Sequence, residues 1–202
     1  MDKTMTPSES ISTGKIGKIQ ELLGAGLRKS GLPDGPVQKV LEHQGDALTT
    51  ELVAVIRKFV EAIGEMFSRI VKVNRKRTPK EALKATGRKL YVNDDVVEAM
   101  PRGEGTETEV HFFKVGKYLT DEELDKEYEL RGLKPADPYS VAAVNEADPA
   151  FADEKPNGTH WKDKDGKWCF AAFNRWRGER RVGVDRDDDG WSGHWWFAGV
   201  RK

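Results

Sequence analysis

At 202 residues, with six Trp, four Tyr and eight Phe, the chain has the length and the aromatic content to fold as one ordinary domain with a smaller appended piece. Its single cysteine, Cys169, excludes an internal disulfide and a multi-cysteine metal knot, and no stretch approaches the roughly 20 apolar residues of a membrane span. Basic and acidic residues balance at 34 each, yet residues 57–93 hold eleven basic and three acidic residues and 94–154 hold six and seventeen.

Residues 1–13 are polar and aperiodic and read as a flexible tail. They carry no apolar export signal, so the expected location is the cytoplasm or a particle that carries the protein, with no membrane contact. From Gly14, Ile16, Ile19, Leu23 and Leu27 recur at helical steps until Gly31, Pro33 and Gly35 end the run. A second helix is predicted from Pro36 to about Gln44, closed by Gly45. Leu52, Ile56, Phe59, Ile63, Met66 and Ile70 then follow at alternating steps of four and three, widened by Val53, Val60 and Phe67, which predicts a helix over 48–71 with an apolar seam. Two readings of the seam stay open. The shorter helices cover it in an intramolecular bundle, or it is a surface for homo-oligomerisation or for another chain.

Nine basic residues lie between Arg69 and Lys89 with Glu81 as the single acid, and read as a solvated basic connector. Such a run also neutralises phosphates, which makes a nucleic-acid-associated accessory protein the alternative function, although no aromatics are interleaved for base stacking. Thr78-Pro79-Lys80-Glu81 starts a short helix, Asp94 to Met100 another, and Pro101 to Gly105 marks a boundary. The plan is therefore a tail (1–13), a helical region with its basic connector (14–100) and a second domain (103–202), of α+β class.

In that domain Thr108 to Val115 reads as a strand. Thr120 and Glu123 form the capping box of a helix that Gly132 closes, and Pro138 to Asn145 forms the next helix. An irregular stretch follows to His160, and the chain ends in strands over 167–176, 180–186 and 195–201.

Asp185, Asp187, Asp189 and Gly190 match the first half of a calcium loop, but Trp196 stands where the bidentate glutamate belongs. His43, His111, His160 and His194 are scattered without ligand spacing, so neither a metal nor a cofactor is expected. Cys169 sits between Trp168 and Phe170 and reads as a packed thiol. An unrecognised enzymatic site around His160, Cys169 and the acidic loop is the third reading, and the expectation is a protein that is not an enzyme. The acids of 121–129 read as a solubilising helix face, and Asn157-Gly158-Thr159 as a turn.

The segment Arg180 to His194 is the informative one. Val182 and Val184 point to one face of a strand, and Arg181, Gly183 and Asp185 to the other. Small and polar residues in no fold-building order lie among bulky indoles, which is the pattern of a binding surface on a stiff frame. The candidate ligand contacts are Asn174, Arg177, Arg181, Gly183, Asp185, Asp187, Asp189, Gly190, Ser192, Gly193 and His194. The candidate frame is Trp176, Trp191, Trp195 and Trp196.

At these residues the chain from about Thr108 to Lys202 resembles the variable proteins of diversity-generating retroelements, and RGLKPADPYSVAAVNEADPAFAD, THWKD and WWFAGVRK are also similar to uncharacterised proteins of uncultured bacteria. In such proteins a reverse transcriptase rewrites template adenines. An AAY codon changed at both adenines never encodes Trp, Lys, Glu, Gln or Met, and every candidate contact obeys that rule. Glu179 departs from it and reads as fixed. The resemblance implies a C-type-lectin-like fold over 103–202, with first and last strands together, and a non-catalytic display protein that binds an unknown protein or surface ligand, in a bacterial or phage setting.

Overall fold

The structure, a computed structural model, describes residues 11–64, 66–186 and 189–202. The chain is α+β and divides between Val55 and Ile56 into two compact units. The predicted tail lies largely outside the described residues.

Helix α1 (Thr13–Lys29) follows the Ile16, Ile19, Leu23 and Leu27 periodicity and ends before Gly31, whose φ is +67°. Helix α2 (Asp34–Gly64) consists of two helical segments that meet at a kink, Gln44 having non-helical φ −135° and ψ 15°, where the sequence predicts one helix to end at about Gln44 before Gly45. The helix over 48–71 is corrected. It ends at Gly64, and Phe67 and Ile70 belong to strand β1 (Phe67–Lys72). A short apolar run satisfies both periods, and pairing of β1 with a distant strand decides between them.

The segment read as a basic connector is folded. Helix α3 (Pro79–Lys84) carries the Thr78/Glu81 capping box, and strand β2 (Lys89–Val92) and helix α4 (Asp94–Glu98) follow. Next come β3 (Glu107–Lys114), α5 (Asp121–Leu130), β4 (Leu133–Pro135), α6 (Pro138–Ala147), α7 (Phe151–Glu154), β5 (Asn157–Lys162), β6 (Trp168–Trp176), β7 (Glu179–Arg186) and β8 (Trp196–Arg201). The sheet order is β1-β3-β8-β5-β6-β7-β2, with β4 also on β8. The β2–β7 and β5–β8 pairs are parallel, and the others are antiparallel. Sheet formation therefore starts well before residue 103, because β1 pairs with β3 and β2 with β7 across long stretches of chain.

One sheet face, with Val110, Phe112, Ala171, Phe173, Val182 and Val184, packs under α3, α4, α6 and α7. Residues Pro138 to Asn145 of α6 are all buried, as a segment without a polar stripe requires. The basic run serves this packing. Arg75 pairs with Asp137 at 2.8 Å, Arg77 grips Glu146 with two nitrogens, and buried Arg88 donates to the carbonyls of Asn174 and Pro149. Asn157, read as part of a turn, is buried in β5 and accepts from Asn145 at 2.9 Å. The opposite face carries Phe113, Leu133 and Phe197 beneath Leu124 and Tyr128 of α5 and Trp191. That cover stops short of β7 and β2.

The β6–β7 hairpin turns on Arg177 (φ +50°) and Gly178 (φ +83°), between paired Trp176 and Glu179. Both central residues have positive φ, which suits Asn-Gly and strains arginine. Arg177→Asn should stabilise the protein by about 0.5–1 kcal/mol, raising the melting temperature by roughly 2–4 °C in a thermal scan. An unchanged or lower value would show that the turn relaxes without cost.

Candidate functional site

Strand register assembles the site. On the open face Asn174 lies opposite Arg181 and Arg181 opposite Lys89; Ala172, Gly183 and Tyr91 form the next row, and Phe170 and Asp185 the third. The intervening Phe173, Val182 and Val184 are wholly buried on the other face. Position in the pleat thus separates residues that build core from residues that meet solvent.

The Ala172 and Gly183 row continues into Gly158 of β5, where the ring of Trp191 rests. A Cβ on Gly158 would lie 2.9 Å from that ring, so only glycine lets the indole down onto the strand. Trp191 also pairs with Leu119 through two backbone hydrogen bonds, which docks its loop on the segment before α5. Phe170, Ala172, Arg186, Asp189, Gly190, Trp191 and Trp195 surround a shallow pocket of about 300 Å³ at the edge of the open face.

Two charge clusters hold this surface. The exposed one centres on Glu179, which accepts from the Tyr91 hydroxyl at 2.7 Å, Lys89 at 3.1 Å and Arg181 Nε at 2.9 Å. Those hydrogen bonds hold its carboxyl at about 2. The Arg181 guanidinium also lies over the Tyr91 ring, 4.7 Å from its centroid. Glu179 is thus a fixed point among its neighbours.

The buried cluster was not legible as one. Asp121 at the start of α5 accepts from the Trp191 indole at 3.1 Å and lies 2.6 Å from His160 Nδ1. His160 is wholly buried, stacked between Tyr128 and Trp168 at 5.6 and 4.6 Å. Its Nε2 lies 3.1 Å from Asp125 Oδ1, within reach of charge attraction but outside hydrogen-bond geometry. Burial alone would lower the His160 pKa, but the Asp121 bond and the negative charges of Asp121 and Asp125 outweigh it and the net shift is upward. Glu122 accepts from the Trp168 indole at 2.8 Å. The reading of 121–129 as a solubilising face fails at Asp121, which is buried, while Glu122 is exposed and Asp125 about half exposed. The only sequence signal for Asp121 was its place in a capped first turn, where the helix dipole favours carboxylates.

Among the predicted contacts, Asn174, Arg181, Gly183 and Asp185 come together on the open face, with Asp185 accepting from Asn93 at 3.1 Å. Asp189, Ser192 and His194 are exposed in the loop before β8, where Ser192 Oγ lies 2.7 Å from His194 Nδ1. Arg177 stands apart at the hairpin tip, and Asp187 lies outside the described residues. At Gly183 a Cβ would meet Phe170 at an ordinary 3.5 Å, so the site tolerates a side chain there. Gly190 and Gly193 are different. A Cβ would fall 2.6 Å from the Leu119 carbonyl oxygen at Gly190 and 2.6 Å from the Gly116 backbone at Gly193. Close loop packing, rather than ligand choice, fixes both glycines.

The predicted frame divides likewise. Trp191 is buried and Trp195 packs edge-on against it, ring centroids 5.6 Å apart. Trp196 follows Trp195 by one residue, so the pleat turns it to the other face, against Phe67 at 5.1 Å. Trp176 at the hairpin end is 55% exposed and frames nothing. Cys169 is buried on the core face beside Ala171 and Phe173, and burial pushes its thiol pKa up.

His160 sets a pH dependence. Its folded pKa is raised, so its stabilising contribution is complete below the ordinary value near 6.5 and is lost as pH rises through the raised value. Between about pH 6 and pH 9 the wild-type melting temperature should fall more than that of His160→Gln, which lacks this titration. Parallel curves would mean that His160 is neutral in the fold. Compared with family models, curated proteins and solved structures, the chain matches none, so the site is read from its geometry alone.

Proposed function

We propose that the domain is C-type-lectin-like and belongs to a variable protein of a diversity-generating retroelement. In this reading its open β6–β7–β2 face and the loop before β8 bind a protein or surface ligand without making or breaking bonds. One observation carries the reading. Asn174, Arg181, Gly183 and Asp185 alternate along β6 and β7 with wholly buried Phe173, Val182 and Val184. Side chains on the open face can therefore be rewritten while the core stays as it is. Element order supports the fold, since β3 pairs antiparallel with the terminal β8, with α5 and α6 between them in sequence.

The contacts differ in freedom. Asn174, Gly183, Asp185, Ser192 and His194 accept replacement, Arg181 leaves an exposed ion pair when replaced, and Gly190 and Gly193 stay glycine. Affinity would come from a few centrally placed side chains beside the Phe170, Trp191 and Trp195 pocket.

Replacing Arg181, Asp185 and His194 together by alanine should lower the melting temperature by less than about 4 °C, because exposed ion pairs contribute at most about 1 kcal/mol each. Phe173→Ala should cost roughly 3–5 kcal/mol, on the order of 10 °C. A triple variant as damaged as Phe173→Ala would make the face structural. The origin of the face is tested in the surrounding DNA. A nearby near-copy of the 3′ end of the coding sequence, differing only at adenines, and a reverse transcriptase gene are expected. Absence of both would overturn the retroelement reading.

A further inference from the structure

We infer that the cleft where β5 parts from β8 and β4 is a second ligand site, separate from the open face. It takes a short peptide with free ends, the carboxylate at Trp161 and Lys162 and the ammonium at Glu107 and Glu109. Strand pairing makes the cleft. Strand β5 follows β8 only through Asn157 and Gly158, and β4 then takes the same edge of β8, opposite Gly199 to Arg201. The Thr159 hydroxyl donates to the Ala136 carbonyl at 2.6 Å where the two strands part. Beyond that point Lys134 and Pro135 of β4 and Trp161 and Lys162 of β5 line a cavity of about 1000 Å³, the upper end of the size range of small-molecule sites.

Unmet hydrogen bonds and divided charge identify the ligand. Among the described residues, six buried side-chain nitrogens have no hydrogen-bond partner and no buried side-chain oxygen lacks one. Three of the six, Trp161 Nε1, His160 Nε2 and His111 Nε2, belong to residues that line this cleft. A buried donor without an acceptor is costly, and an indole N–H can only donate, so the partner that Trp161 lacks is an oxygen. Charged groups in the cleft are sorted by strand. Arg75 and Asp137 answer each other at 2.8 Å, and Asp125 lies 3.1 Å from His160. That leaves Glu104, Glu107 and Glu109, on β3 or just before it, against Lys134 of β4 and Lys162 of β5, with Arg201 of β8 between them. At about 4.8 Å per strand, β3 stands on the order of 14 Å from β5. Side chains reach inward from both walls, and an extended peptide of about three residues, roughly 10 Å long, spans what remains. Its two charged ends meet the two walls with opposite sign.

The test uses the full chain with trialanine as the probe, read by titration calorimetry and by the amide-type N–H resonance of the Trp161 indole, assigned by its loss in Trp161→Phe. Saturable binding of one peptide per chain that moves this resonance is expected. Acetylating the amine of trialanine or amidating its carboxylate should each weaken binding about tenfold. Trp161→Phe, which keeps the ring and removes the donor, and Lys162→Ala should do the same. Glu107→Gln with Glu109→Gln should weaken trialanine while leaving acetylated trialanine unchanged, which ties the amine to that wall. No saturation by about 10 mM would overturn the inference. So would binding indifferent to both blocked ends, or binding that Trp161→Phe and Lys162→Ala leave intact, which would place the peptide elsewhere.

Discussion

A carboxylate buried in the first turn of α5 joins three segments that are far apart in sequence. Asp121 meets His160 from β5 and the indole N–H of Trp191 from the loop before β8. A buried carboxylate without partners would be costly, and here an imidazole nitrogen and an indole N–H both meet it at the start of α5. Trp191 reaches that bond only because Gly158 has no side chain, and the pocket beside Trp195 exists only because Trp191 lies flat. The shape of the open face thus follows from one polar contact beneath its edge.

Local signals in the sequence carried much of this fold. The Thr120/Glu123 and Thr78/Glu81 capping boxes started α5 and α3 where the spacing placed them, and the apolar segment at 138–145 gave a buried helix. Alternation around Val182 and Val184 oriented β7 correctly. Long-range decisions were hidden. Phe67 to Lys72 fits either period, and only its partner β3 makes it a strand. Arg75, Arg77 and Arg88 looked like one basic run because their acceptors, Asp137, Glu146 and two backbone carbonyls, lie far along the chain. His160 carried no local mark of the acids that enclose it.

The site was legible where it depends on the pleat and hidden where it depends on loop packing. Alternation alone exposes Arg181, Gly183 and Asp185, but composition could not separate Gly183, which has room for a side chain, from Gly190 and Gly193, which have none. Nor could it show that neighbouring Trp195 and Trp196 serve opposite faces. Glycine and tryptophan each filled two roles here, and only the packed chain distinguishes them.

Arg177 gives the hairpin tip a character unlike the rest of the surface. With φ at +50°, the position screens substitutions by backbone shape before any of them can meet a partner. Isoleucine, valine and threonine, stiff at Cβ, enter that region least readily, while asparagine, aspartate and glycine enter it with ease. Drift at the tip should therefore run toward small, turn-forming residues whatever the rest of the surface is selected to recognise.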